Sequence, residues 1–355
     1  MLTKKRRKKP KKIKKDITPL AISFLLLIIF SLMVVDFMKD KKEILTCGDG
    51  TLYGECSLKQ PYFCLNGTLI AKASVCNCPE ILTKNQESCI SKYQNNPKII
   101  TLEYILRGEE KKLEFVVYQD MVDYLSNLPK SFDLRLTGKD ARKTFILKKI
   151  EEKEQKELIL PLVIKIQNIA EDRIDQVRIA ISIVQNLQYN SSGEIIVLGS
   201  NQVTYSRYPY EVLYNMEGVC GEKSELLIFL LRELGYGVVL FHYSSENHQT
   251  VGIKCPVKYS LDNSSYCFIE TTGPSIITNN QDYYIGARKL FSKPEIIFIS
   301  DGDSLSSDLY EYKDARSVIK INNAIEQKGH INILQRIKLK SLMKKYGLID
   351  IYGSI

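Results

Sequence analysis

At 355 residues the chain can hold two or three domains and at least one sizeable core. Its formal charge of +9 suggests a nucleic-acid partner until the charge is located. Residues 1–16 carry ten Lys or Arg and a single acid, Asp16, so the rest of the chain sums to zero. The basic balance belongs to one tail and says nothing about the body. A nucleic-acid-binding arm is the alternative reading of that tail, disfavoured by the apolar run beside it, and no nucleic-acid partner is expected.

The basic tail is followed by residues 17–38, apolar except for Thr18, Ser23, Ser31 and Asp36. About 20 apolar residues span a bilayer as a helix, so this run reads as a transmembrane helix. It is longer than the apolar region of a cleaved signal peptide and lacks a small-residue cleavage site. Lys and Arg stay on the cytoplasmic side, which predicts a single-pass cell-membrane protein with residues 1–16 cytoplasmic and the body outside the cytoplasm. The lipid bilayer is therefore an expected partner.

Residues 45–92 hold six of the nine cysteines, spaced C-x8-C-x7-C-x11-C-x-C-x10-C among Gly, Asn, Thr and Pro. There is no C-x-x-C pair and no His among them, which favours a disulfide-stapled module over a zinc site. Six cysteines allow 15 pairings, and the spacing leaves the choice open. Residues 98–168 read as an α/β accessory region: a hairpin from Ile100 to Leu106 and Lys112 to Tyr118, and a short helix from Asp120 to Leu128 stopped by Pro129. Lys148 to Glu157 reads as a solvated face or loop because its charges are mixed, and Leu158 to Ile166 as a strand.

Residues 169–300 form the next unit. Ile174, Val177, Ile181, Val184 and Gln188 keep one face of a helix over Glu171–Gln188. A Tyr-rich loop, Tyr205 to Tyr214, leads to Cys220, its aromatics either walling a cleft or sealing the core. Leu226, Leu227, Leu230, Leu231 and Leu234 then recur at helical spacing, stopped by Gly235. Three strands follow the helix, at Val238–Tyr243, His248–Lys254 and Tyr266–Thr271, with a fourth at Glu295–Ser300. Residues 301–355 read as a helical segment, with helices near Tyr312–Gln327 and Ile331–Tyr346. For the basic residues of the last helix a solvated face is the default reading, and contact with anionic lipid the alternative.

Chemistry concentrates in Met216-Glu-Gly-Val-Cys-Gly-Glu-Lys-Ser224, His248 and Glu270. A thiol at a helix N-terminus meets unpaired N–H groups and the positive end of the helix dipole, both of which favour thiolate. A nucleophilic Cys needs a base, and the base needs a third group to fix its tautomer. Cys220, His248 and Glu270 supply these roles in order. The chain has three histidines, so one placed after the Cys helix is informative. His242, inside an apolar strand, reads as structural, and Glu222 as helix N-terminal stabilisation.

This order resembles the transglutaminase-like branch of the papain-like thiol enzymes, and in particular membrane-anchored archaeal-type proteins of that kind. The matching stretch runs from about Ile174 to Pro274. It includes Ser182-Ile-Val-Gln-Asn-Leu-Gln-Tyr189, Arg207-Tyr-Pro-Tyr-Glu-Val-Leu213, Gly218-Val-Cys-Gly-Glu222, Leu234-Gly-Tyr236 and Phe268-Ile-Glu-Thr-Thr272. The resemblance implies an α+β fold with a Cys-bearing helix packed on an antiparallel sheet. It further implies Cys220 as nucleophile, His248 as base and Glu270 as orienting acid. Three residues depart from the pattern: Glu270 stands where Asp is commoner, Val219 where some relatives carry Asp, and there is no Trp to stabilise an oxyanion. The expected substrate is a protein or peptide, with no cofactor and no metal. Whether water or an amine resolves the thioester stays open, and the alternative is a catalytically inactive surface scaffold of the same fold.

Cysteine arithmetic supports a free thiol at position 220. If the six N-terminal cysteines pair among themselves and Cys255 pairs with Cys267, Cys220 is left over. Strand parity places each of Cys255 and Cys267 on the face opposite its neighbouring site residue. Direct pairing of His248 with Glu270, however, sets Cys255 opposite Asn263, so a Cys255–Cys267 bridge requires a loop or bulge near Pro256.

Overall fold

The computed structural model describes residues 45–128, 138–193, 195–198, 201–204, 206–278 and 290–348, with backbone alone for a few of them. The basic tail, the apolar run at 17–38, Pro129 and Tyr205 lie outside the described residues. Among the described residues no helix is long and apolar enough to cross a membrane. Thr46–Ile355 form one compact unit.

The Cys-rich segment is built from two small antiparallel hairpins and one helical turn. β1 (Tyr62–Leu65) pairs with β2 (Thr68–Ala71), α1 spans Ala73–Cys76, and β3 (Thr83–Asn85) pairs with β4 (Ser88–Ile90). Disulfides Cys47–Cys64, Cys56–Cys76 and Cys78–Cys89 select one of the fifteen pairings. So short a segment buries little apolar surface, and covalent staples replace the missing core. Cys47, Cys64 and Leu69 nevertheless pack on Ile164 of the body. Asn168 clamps Leu69 on both sides, accepting from its N–H at 2.8 Å and donating to its carbonyl at 3.0 Å. Gly48 lies so close to Gln167 that a Cβ would stand 2.1 Å from its carbonyl oxygen.

The body starts with the expected hairpin, β5 (Pro97–Leu106) and β6 (Glu109–Tyr118), followed by α2 (Gln119–Ser126). Next come α3 (Gly138–Ile150), α4 (Lys153–Ile169) and α5 (Arg173–Asn186). One sequence expectation fails here and another holds in part. The strand placed at Leu158–Ile166 is the centre of α4. Leu158, Ile159, Leu160, Leu162, Val163, Ile164 and Ile166 are all buried, while Lys153, Lys165 and Asn168 are exposed. Within Leu158–Ile166 the apolar run is broken only by Pro161 and Lys165, which is what reads as a buried strand. Glu152 starts it by accepting the N–H groups of Glu154 and Gln155 at 3.2 and 2.8 Å, and Pro161 sits inside it. Lys148–Glu157 holds the loop that joins α3 to α4 and is largely solvated, as expected, but Lys149 and Gln155 are buried.

After β7 (Gln188–Tyr189), β8 (Ile195–Leu198) and β9 (Asn201–Thr204), the Tyr-rich segment proves partly helical, as α6 (Pro209–Asn215). Proline suits a first helical turn because its missing N–H would be unpaired there anyway. Tyr208 and Tyr210 are buried and join the core, which decides for sealing rather than lining a cleft. β10 (Glu217–Gly218) pairs in parallel with β7. Then α7 (Cys220–Glu233) runs through the middle of the body. The expected amphipathic stripe is in fact a fully buried cylinder: Leu226 through Leu231 are all inaccessible. β12 covers one side, and α3, α4, α5 and α6 cover the others. Each such Leu, Ile or Phe stabilises the fold by about 1.5–3 kcal/mol relative to exposure.

β11 (Val238–Tyr243), β12 (His248–Lys254), β13 (Tyr266–Ile269) and β14 (Glu295–Ser300) make an antiparallel sheet in the order β13-β12-β11-β14. Val238, Leu240, Val251, Ile253 and Ile269 belong to the core around α7, whereas Val239, Phe241, Tyr243 and Phe268 form a separate cluster. Alternation of side chains across the pleat produces this division. α8 (Tyr310–Lys328) and α9 (Ile333–Tyr346) close the described chain. The result is the α+β class expected, with a Cys-bearing helix packed on an antiparallel sheet.

Candidate active site

Cys220 is the first residue of α7 and the one cysteine of the chain outside a disulfide. Its position is set by the turn before it. Glu222 accepts the Val219 N–H at 3.0 Å and the Arg207 N–H at 2.8 Å. The Arg207 side chain also donates to Glu222 at 3.3 Å, to Glu217 at 2.5 Å and to the Asn190 carbonyl at 2.9 Å. Glu222 therefore caps the helix, as the sequence suggested, and also pairs with Arg207, which it did not. Gly218 allows the close approach: a Cβ there would meet Glu222, Lys223 and Val212 atoms at 3.3 Å each.

His248 opens β12, and Glu270 follows the last residue of β13 by one, just beyond the strand expected to carry it. The register of the two strands sets Val251 opposite Ile269 and Ile253 opposite Cys267. Continued outward, it puts Thr250 opposite Glu270, and the Cys255 N–H donates to the Ser265 carbonyl at 2.9 Å. His248 and Glu270 are thus diagonal neighbours two residues off direct pairing, and Cys255 and Cys267 are offset by two in the opposite sense. Long side chains reach across such diagonals. This register satisfies both pairs at once: the Cys255–Cys267 disulfide forms, with Cα atoms 5.7 Å apart.

The three side chains meet. His248 Nε2 lies 2.9 Å from Glu270 Oε2, and the Cys220 side chain lies close enough to the His248 ring to raise its pKa. The other carboxylate oxygen, Oε1, accepts the N–H groups of Thr271 and Thr272 and the Thr272 hydroxyl, each at 2.9 Å. Burial alone would push this carboxyl up. The His248 hydrogen bond and charge, with the Thr272 donors, outweigh burial and hold Glu270 below its ordinary value. An ionised carboxylate can only accept, so Nε2 must carry a proton and Nδ1 is left for the thiol. His248 is 1 % exposed. Its burial disfavours the charged ring, but the bonds to Cys220 and Glu270 and their charges raise it to about 9.

Several supporting residues carry no sequence signal for their role. Gln185 donates to the Glu270 carbonyl at 2.8 Å and to the Ser275 carbonyl at 3.2 Å, fixing the acid-bearing turn from α5. Ser224 lies 3.1 Å from the Thr271 hydroxyl and donates to the Gln249 carbonyl at 3.2 Å. Lys223, wholly buried, donates to the carbonyls of Leu187, Thr272 and Gln185 at 2.8, 3.2 and 3.4 Å. Burial lowers this lysine to about 8, against the attraction of Glu270. Adjacency to Cys220 was its one visible clue. His242 stays apart from the trio, 3.4 Å from the Gln249 carboxamide, and burial and Arg142 lower it. Among the described residues no three His, Cys, Asp or Glu side chains converge as metal ligands.

No family model and no curated protein matches the chain. Among solved structures it is similar to calcium-bound LapG of Legionella pneumophila. The match has 15% identity over 50% of this chain and 98% of that one, with a TM-score of 0.23. The functional reading rests on the geometry of the site itself.

Proposed function

We propose that this chain is a thiol enzyme that cleaves or transfers peptide or glutamine-type amide groups through Cys220, His248 and Glu270, held to a membrane by residues 17–38 with its body outside the cytoplasm. The observation that carries this reading is the continuous contact from a cysteine left out of every disulfide, through a buried imidazole, to a buried ionised carboxylate.

In the first step the Cys220 sulfur attacks the amide carbonyl carbon while its proton resides on His248. The tetrahedral oxyanion faces the backbone N–H of Cys220 at the start of α7, a donor with no intrahelical partner. Collapse breaks the C–N bond as His248 gives its proton to the leaving amine, and a thioester remains. Water or an amine then attacks the thioester, losing a proton to His248, and the Cys220 thiolate departs. Glu270 keeps Nε2 protonated throughout and balances the imidazolium. Four disulfides suit a compartment that permits oxidation.

The test is the pH dependence of iodoacetamide labelling at Cys220, located by peptide mapping. An ordinary thiol labels near about pH 8.5, where it ionises. An activated pair labels at about pH 6, and replacing His248 by Ala abolishes that early labelling. Because His248 is raised to about 9, its imidazolium charge persists through neutral pH. Labelling confined to about pH 8.5 and indifferent to His248 would reject the enzyme reading and leave a scaffold.

A further inference from the structure

α9 has an unusual composition and an unusual exposure. Its fourteen residues, Ile333–Tyr346, include Arg336, Lys338, Lys340, Lys344 and Lys345 and no acid. Two of the five cations are spent inward: Lys338 and Lys345 reach Asp314 of α8 at 3.0 and 2.7 Å. The helix is seated by Leu339 and Leu342, which join the apolar clusters beneath it. Its opposite side carries Arg336, Lys340 and Lys344, all exposed, and among the described residues no ion pair engages them.

Three large apolar side chains share that outer side. Ile333, Leu334 and Ile337 are 76, 78 and 61 % exposed. Ile333, Ile337, Lys340 and Lys344 follow i, i+4, i+7 and i+11, so they line one stripe, flanked by Arg336 on one side and Leu334 on the other. Single exposed apolar residues need no explanation, but three on two turns of one helix beside unpaired cations do. Solvation accounts for the charges and leaves the isoleucines and leucine unexplained. A protein partner with an acidic surface would match the charges, yet a lipid interface matches both features. Apolar side chains sink to the acyl boundary while Lys and Arg stems reach outward to the headgroups. The apolar run at 17–38, read as an anchor, would hold the body within reach of such a surface.

We propose that α9 lies on an anionic lipid surface, with Ile333, Leu334 and Ile337 inserted at the headgroup boundary and Arg336, Lys340 and Lys344 paired with lipid phosphates. The tether and the helix together would fix how the body faces the membrane, a role separate from the chemistry at Cys220.

The chain contains no Trp, so Leu334→Trp gives a single fluorophore on this face without crowding, and Lys320→Trp on α8 serves as a solvent-facing reference. The full chain of each variant is reconstituted into vesicles of phosphatidylcholine, or of phosphatidylcholine with phosphatidylglycerol. The expected result is a blue-shifted emission from Trp at 334, quenched by brominated acyl chains in the anionic vesicles. Changing Arg336, Lys340 and Lys344 to Gln should abolish both effects, and Trp at 320 should show neither. Emission from 334 that stays at the solvent wavelength and resists bromolipid in both vesicles would overturn the proposal. So would a blue shift that rises with protein density but is insensitive to bromolipid, since a second copy would then cover the face. Ile333→Trp repeats the measurement one residue away, so a local defect at 334 cannot decide it.

Discussion

Glu225, on α7, and Glu270, in the turn after β13, are both buried carboxylates, and their environments drive them in opposite directions. Glu270 meets one imidazole, two backbone N–H groups and a hydroxyl, and is held below the ordinary glutamate value. Glu225 faces Lys149, whose Nζ lies 2.5 Å away and also donates to Ser206 at 2.9 Å. Burial raises Glu225 to about 7 in spite of that lysine. Burial is common to both. The number of donors converging on the charge decides which carboxylate stays ionised. A single partner makes a structural clamp, whereas a full set of donors makes an orienting group that holds its charge while a neighbouring imidazole changes its own.

The largest effect is expected where that full set is broken. Glu270→Gln keeps the shape but removes the charge that fixes the His248 tautomer and balances the imidazolium. Labelling of Cys220 at about pH 6, or turnover once a substrate is found, should fall by about 10²–10⁴-fold, with His248 shifting downward from about 9. A histidine NMR titration would detect that shift. An unchanged titration midpoint would mean that Glu270 does not act on the imidazole, and the triad reading would fail with it.

Glu225 tests the other side of the comparison. Its folded pKa of about 7 lies above the ordinary 4.5. The stability it contributes is therefore fully present below about pH 4.5 and is lost as pH rises through 7. Relative to Glu225→Gln, the wild-type protein should lose about 3 kcal/mol across that window, read as a narrowing gap in melting temperature. By pH 7 the gap should be near its smallest, because Glu225→Gln keeps the shape and removes a carboxylate whose burial Lys149 does not offset. A pH-independent gap would show that Glu225 stays ionised in the fold.

How much of this was readable in advance follows from what each residue needs. The hairpin, the helix at Arg173–Asn186, the Cys helix and the four sheet strands have local signatures, and the structure contains them all. The Cys-His-acid order depends on residue types that one mechanism requires, so Cys220, His248 and Glu270 stood out before any contact was known. α4 did not, because its central stretch, Leu158–Ile166, is a nearly unbroken apolar run of strand length, and the polar residues of its outer side are sparse there. Lys149 sat in a run of mixed charge, and nothing local marks which lysine will find a buried glutamate on a helix far along the chain. The register of β12 and β13 was equally hidden. Direct pairing and disulfide pairing looked incompatible, and the observed offset reconciles them by making both diagonal.

Lys223 extends the comparison to a buried cation and carries the smallest expected effect. It has neither a full set of charged partners nor a single close carboxylate: three backbone carbonyls hold it, contributed by the end of α5 and by the turn after Glu270. Burial lowers it to about 8 from 10.5. Between these values the unfolded chain binds the extra proton, so wild-type stability should rise with pH across that window relative to Lys223→Met. At pH 7 the substitution should cost about 1–3 kcal/mol for the carbonyls left without a donor. The gap should then widen toward pH 10.5, as the folded wild type sheds a charge the variant never had. Thermal melts of the two proteins at pH 7, 8.5 and 10 would measure it. A constant gap would mean that the ammonium pays no net penalty, and that three carbonyl dipoles can hold a buried charge as well as the donors around Glu270 hold theirs.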